Sequence, residues 1–195
     1  MPTFPSLDTF VVKEHLGVFK AANNFDLLDP ASGQLVLTAR EEKLGMLTKI
    51  LRFTDFKRHT PFELTVRDGS GSPVLTVKRG VSILRSQVEV QDGGGRLLGT
   101  FRQKLLSIGG AFDILEPSGR VVATLQGKWT GWDFRFLSGN SELAHVTKKW
   151  AGIGRELLTT ADSYVLEIQP SVPADGPARP LILAAVLCID MVLKE

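Results

Sequence analysis

Residues 64–77 read LTVRDGSGSPVLTV and residues 88–101 read VEVQDGGGRLLGTF, two versions of one pattern. In each, alternating apolar residues (Leu64 and Val66; Val88 and Val90) lead to an aspartate and then to a glycine three positions on (Asp68 and Gly71; Asp92 and Gly95). A second apolar run follows, at Val74 to Val77 and at Leu97 to Phe101. Alternation of period two puts each apolar pair on one face of a β-strand. Asp, Ser and Gly supply the local hydrogen bonds and the positive φ of a tight turn. Each unit is therefore expected to be a β-hairpin.

The pattern recurs outward in both directions. Phe25 and Leu27 precede Asp29 and Gly33; Phe112 and Ile114 precede Glu116 and Gly119; Phe134 and Phe136 precede Ser138 and Gly139. The turn acids Asp68, Asp92 and Glu116 are spaced by 24 residues, and Ser138 follows 22 later. Outgoing strands are expected at Gln34 to Thr38, Val121 to Leu125 and Glu142 to Val146. With a leading strand near Thr9 to Lys13 and a late one near Ser163 to Ile168, the chain carries about twelve strands. Consecutive hairpins make an antiparallel meander, and closure into a barrel removes its exposed edges. A propeller blade needs four strands and about 40 residues or more, longer than this repeat.

Two segments break the alternation. Glu41 to Phe53 (EEKLGMLTKILRF) places Leu44, Leu47, Ile50 and Leu51 at helical spacing, predicting a short amphipathic helix. Leu181 to Leu193 (LILAAVLCIDMVL) is apolar on every side apart from Asp190. A helix of this character is buried or spans a membrane. At 1.5 Å per residue it reaches only about 20 Å, against about 30 Å of bilayer hydrocarbon, which favours burial. Eight strands fill a barrel with their own side chains, whereas about twelve leave an axial space. The expected fold is mainly β: a closed antiparallel barrel of about twelve strands around a central hydrophobic C-terminal α-helix, one domain over residues 1–195.

Composition agrees. The 195 residues are 43% hydrophobic and 23% charged, which excludes disorder, collagen and coiled coil. One cysteine, Cys188, excludes a disulfide framework and a thiolate zinc cluster, and within the apolar helix it is expected to be inert. A net charge of +2 is far from that of a general polyanion binder, so no strong nucleic-acid signal is present. The N-terminus has neither a basic region nor an apolar run, so a cytoplasmic location is expected.

Catalytic motifs are missing: there is no GxSxG, HExxH, P-loop or complete GxGxxG, and Gly93 to Gly95 sit at a hairpin turn with no helix after them. The histidines His15, His59 and His145 are far apart in sequence, and His145 shares a strand face with Leu143, as a half-buried structural histidine would. Asp190 needs a partner or a raised pKa within its apolar helix, and a structural contact near the barrel mouth is the simpler reading. Trp129, Trp132 and Trp150 stand beside lysines, a membrane-interface signature when exposed and ordinary packing when buried. Basic residues gather at 40–59 (Arg40, Lys43, Lys49, Arg52, Lys57, Arg58) and at 78–104 (Lys78, Arg79, Arg85, Arg96, Arg102, Lys104). Scattered surface charge is the simpler reading of both. If neighbouring hairpins bring the clusters together, Lys57, Arg58, Lys78 and Arg79 become candidates for an anionic lipid headgroup.

The C-terminal part carries a resemblance. Lys149-Trp150-Ala151-Gly152, Arg155-Glu156, Thr160-Ala161-Asp162-Ser163-Tyr164 and the closing helix with its Asp190 are similar, in order and spacing, to the tubby-like superfamily, within it the LURP-one-related and phospholipid scramblase group. The resemblance implies a non-enzymatic tubby-like barrel without cofactors, peripheral at an anionic membrane surface. Its alternatives are phospholipid scrambling and a protein-interaction scaffold or transcription-linked regulator. The scramblases' acidic loop, proposed to hold calcium, corresponds here to Thr160, Asp162 and Ser171, so one acid stands where the family has three. Calcium requires six to eight oxygen ligands. The LURP-one-like branch is therefore the closer analogy, and no metal is expected.

Overall fold

The computed structural model describes residues 4–16, 23–41, 61–80, 87–104, 111–128, 132–149, 151–152 and 163–193. Twelve strands run β1 Thr9–Leu16, β2 Asn23–Leu28, β3 Leu35–Arg40, β4 Phe62–Asp68, β5 Pro73–Arg79, β6 Gln87–Asp92, β7 Leu97–Gln103, β8 Ala111–Leu115, β9 Val121–Lys128, β10 Asp133–Ser138, β11 Ser141–Thr147 and β12 Ser163–Ile168. A single described helix, α1, covers Ala178–Leu193. Every strand pairs antiparallel with its neighbours in sequence, and β1 pairs with β12 to close the ring. The expected hairpins are β2–β3, β4–β5, β6–β7, β8–β9 and β10–β11.

All five tight turns lie at one end of the barrel. In three of them an acid opens the loop, and a glycine three residues later donates its N–H to that acid's carbonyl: Gly71 to Asp68, Gly95 to Asp92 and Gly119 to Glu116. These glycines have φ of 83°, 84° and 86°, a conformation that costs an L-residue a Cβ–carbonyl clash. Just before each turn the register slips by one, at Val66/Arg67, Val90/Gln91 and Ile114/Leu115, which is the bulge a three-residue hairpin loop requires. The β2–β3 loop is one residue longer, with Gly33 bonded back to Asp29, and β10–β11 turns on Gly139 and Asn140 alone.

Helix α1 occupies the lumen. Leu181 to Ile189 are all at most 5% exposed, and the helix touches β12 and also β5 and β7, which flank the opposite point of the twelve-membered ring. It enters at the tight-turn end, directly after β12, and runs toward the other end for about 24 Å. Inward side chains meet it from every strand, among them Phe10, Phe25, Leu64, Val90, Phe134 and Leu166. Gly99 faces it from β7; a Cβ there would stand 2.5 Å from the Leu115 carbonyl and 2.9 Å from Leu181. The lone cysteine, Cys188, is buried in this helix, and desolvation pushes its thiol up to about 12, despite the opposing field of Arg79.

Arg179, in the first helical turn, is 3% exposed and fixes the entry. Its guanidinium donates to the carbonyls of Leu7 at 2.8 Å, Val172 at 3.0 Å and Pro173 at 3.1 Å, and to the Asp8 carboxylate. A cation at a helix N-terminus opposes the helix dipole, so this arginine is held by its acceptors and not by the helix. The helix expected over Glu41 to Phe53 lies outside the described residues apart from Glu41, which is buried.

Candidate functional site

The strand β5 carries two of the four headgroup candidates, and its pleat separates them. Leu75, Val77 and Arg79 face inward, so Arg79 is 5% exposed, with its guanidinium 4.9 Å above the Phe62 ring. Lys78 faces outward between Glu63, at 3.7 Å, and Glu89, its register partner on β6. The outer face thus presents Lys78 without Arg79. Lys57 and Arg58 lie outside the described residues; in sequence they fall between β3 and β4.

The outer surface is laced with alternating charge. Asp26 is pushed up by partial burial but held below the usual carboxylate range overall by Arg40 and by His15, whose Nε2 is 2.7 Å away. Asp113 accepts Lys104 at 3.0 Å, and Arg135 reaches Glu142 at 3.0 Å. His145 is half-buried on the outward face of β11, its Nε2 2.9 Å from Asp133, whose carboxyl it holds low. His15 on β1 meets Asp26 on β2, and His145 on β11 meets Asp133 on β10, so both pairs read as cross-strand ties; His59 lies outside the described residues.

The end opposite the tight turns has a different character. Trp132, just before β10, adopts φ 46°, the one positive φ at a non-glycine among the described residues. Its indole stacks on Tyr164 at 5.1 Å between centroids and meets the edge of Phe134 at 6.2 Å. The Lys148 ammonium lies 4.0 Å above the same ring, and Lys149 beside it is exposed. Phe134 and Tyr164 are inward residues, so Trp132 covers the lumen at this end. A bulky residue in the left-handed region carries strain that its surroundings must hold. Trp129 and Trp150 lie outside the described residues, as does the side chain of Asp190.

No group of three or more His, Cys, Asp or Glu able to hold a metal occurs among the described residues. Of the calcium-loop positions, Ser171 is exposed in the β12–α1 connection, and Thr160 and Asp162 lie outside the described residues. Among the described residues no helix is long and apolar enough to cross a membrane.

A closed antiparallel barrel filled by its own C-terminal helix defines the fold class, and an X-ray structure of a protein from Arabidopsis thaliana shares it. The TM-score is 0.57 at 16% identity, over 95% of this chain and 91% of that one. The sequence profile of the Scramblase family matches residues 10–195, and the chain belongs to that family. It is also similar to the altered inheritance rate of mitochondria protein 25 of Saccharomyces cerevisiae, 22% identical over 173 residues. The match takes in 76% of this chain, which spans about half (52%) of the yeast protein.

Proposed function

We propose that the protein is a non-enzymatic, tubby-like single domain over residues 1–195 that binds anionic phospholipid headgroups peripherally, with Lys57, Arg58 and Lys78 among the contacting cations. The observation that carries this reading is the occupied lumen. A ligand carrier or an enzyme needs a concave, lined cavity, and here the axial space holds Leu181 to Ile189, buried on every side. Recognition is thereby left to the outer surface, and membership of the Scramblase family favours lipid as the ligand class. Arg79, facing the lumen, is withdrawn from the contact set; its charge acts on the helix instead.

Each Lys or Arg near an anionic surface contributes about 1 kcal/mol, so a few acting together give weak binding that salt screens. Vesicles containing phosphatidylserine or a phosphoinositide are expected to sediment the protein at low salt and release it at about 0.5 M. Neutral phosphatidylcholine vesicles should leave it in the supernatant. The double reversal Lys57→Glu and Arg58→Glu should weaken binding, and adding Lys78→Gln, which puts no third carboxylate between Glu63 and Glu89, should weaken it further. Wild-type protein that ignores anionic vesicles at low salt overturns the proposal.

A further inference from the structure

The residues that precede β1 lie at the entrance of α1 and are fastened to it. Phe4 and Leu7 are partly buried and pack against the core, while Ser6 and Asp8 are exposed. The backbone carbonyl of Asp8 accepts the N–H of Ile168, the last residue of β12, at 2.6 Å, and its carboxylate accepts the Arg179 guanidinium from the first turn of α1. Asp8 is thereby tied to both ends of the β12–α1 connection. Arg179 also donates to the Leu7 carbonyl at 2.8 Å. Sheet pairing with β12 begins only at Thr9, so Phe4 to Leu7 have no ladder to hold them.

Charge links this strap to the helix. The Arg179 side chain is 3% exposed, whereas that of Asp8 is 50% exposed. Among the described residues Asp8 supplies the counter-charge of the buried cation; the carbonyls of Leu7, Val172 and Pro173 are neutral acceptors. The first turn of α1 has no acid of its own, and a cation there opposes the helix dipole. When the strap lifts, Arg179 loses its carboxylate and one of its carbonyls together. A buried charge stripped of its partner is strongly destabilising, and here it would stand at the positive end of a helix. Fraying of the first turns relieves it, because the guanidinium then reaches water. The strap is the weaker partner, since a segment with few buried contacts and exposed polar groups opens locally before a packed core does. Leu181 to Ile189, at most 5% exposed, belong to that core.

We propose that residues 4–8 are a latch whose opening, as a unit, controls fraying of the first turns of α1. Closed, the latch neutralises Arg179 and seals the helix into the lumen. Open, it lets Leu181 and Ile182, which the closed barrel hides, come to the mouth as an apolar surface while the hairpins keep their pairing. The latch does not depend on the headgroup reading, and its test contains no lipid.

The experiment follows amide hydrogen exchange residue by residue, by NMR, in the full chain at neutral pH. Ile182 to Ala185, whose N–H groups bond within the helix, report on α1. The paired amides of β6 and β7, on the far side of the ring from the strap, report on the hairpins. Asp8→Asn keeps the size and one acceptor of the side chain but removes its charge. It should lower the protection of the helix amides by about tenfold and leave the hairpin amides within about twofold of wild type. Phe4→Ser with Leu7→Ser, which releases the apolar hold and leaves Asp8 in place, should act in the same direction, and it provides the same comparison should Asp8→Asn fail to fold. Melting curves establish which variants are folded. If the helix amides of a folded variant keep wild-type protection, or if helix and hairpin amides lose protection by the same factor, residues 4–8 are ordinary packing and the latch is wrong.

Discussion

The two ends of the barrel close the same twelve strands by different means. At the hairpin end one local solution is repeated: an acid, two residues and a glycine with φ near 85° in three turns, and an acid, three residues and Gly33 with φ 69° in a fourth. Asp68 accepts the N–H groups of Ser70 and Ser72, and Asp92 those of Gly94 and Arg96, so the turn is satisfied within its own few residues. At the other end the connections differ in length and carry no shared pattern. Turns stabilised within their own few residues are legible from local sequence, whereas the connections at the other end follow no shared local rule.

The helix couples the two, and disturbing it should have the largest effect. Leu187 is fully buried in the lumen, and Leu187→Ala is expected to cost about 2 to 5 kcal/mol, read by chemical denaturation. Gly99→Val tests the opposite error, excess volume. Its new side chain would meet the Leu115 carbonyl and Leu181 at once, and since a peptide carbonyl in a barrel ladder cannot step aside, a comparable or larger loss is expected. Equal stability of both variants and wild type would mean that the helix is not the barrel's core.

Next in size is the clamp at the hairpin end. Arg179→Met keeps the bulk but deprives the carbonyls of Leu7, Val172 and Pro173 of a charged donor, for a cost of about 2 to 4 kcal/mol. Cys188 reports the consequence. With its thiol raised to about 12, it should react with a disulfide reagent only when the helix leaves the lumen, and Arg179→Met should accelerate that reaction. Rapid labelling of the folded wild type would contradict the position of the helix.

A smaller effect separates two neighbouring glycines of one turn. Gly95 has φ 84°, and Gly95→Ala should cost about 1 to 2 kcal/mol. Gly94 has no such φ, its added Cβ would meet only the flexible Asp92 carboxylate at 3.3 Å, and Gly94→Ala should be nearly neutral. Similar melting temperatures for the pair would remove the reason for glycine at the repeat's fixed position.

What was legible in the sequence follows the same division. The Asp-to-Gly spacing and the alternation fixed the five hairpins, since both signals are local; the helix was placed by its length and its all-round apolarity. The inward position of Arg79 is carried by the strand alternation itself. It continues the inward series Leu75, Val77, so an adjacent lysine and arginine on a strand cannot share a surface. Arg179 gave no signal at all, because its partners Leu7 and Asp8 lie more than 170 residues away. Nor does a tryptophan announce positive φ, a conformation that sequence patterns associate with Gly and Asn.

The smallest expected effect is the acid response of the hairpin end. The Ser70 hydroxyl and the backbone N–H groups of Ser70 and Ser72 hold Asp68 below its usual range, and the Arg96 N–H does the same for Asp92. Arg120 and Ser118 bring Glu116 from 4.5 to about 2. A carboxyl whose pKa is lower in the folded chain binds more protons when unfolded, so its contribution rises with pH. That contribution is complete above the unfolded values, near pH 4 to 5, and disappears as pH falls through the folded ones, toward 2 for Glu116. These groups are exposed, and salt weakens the Glu116–Arg120 pair. Melting temperature measured in low salt should therefore change little through these groups from pH 8 to 6 and decline below about 4.5. Glu116→Gln should lower the neutral plateau slightly and make the decline shallower by the same amount, so that its curve meets the wild-type curve in acid. If its whole curve coincides with that of the wild type, the Glu116–Arg120 contact does not persist in solution, and the hairpin end owes its rigidity to glycine geometry alone.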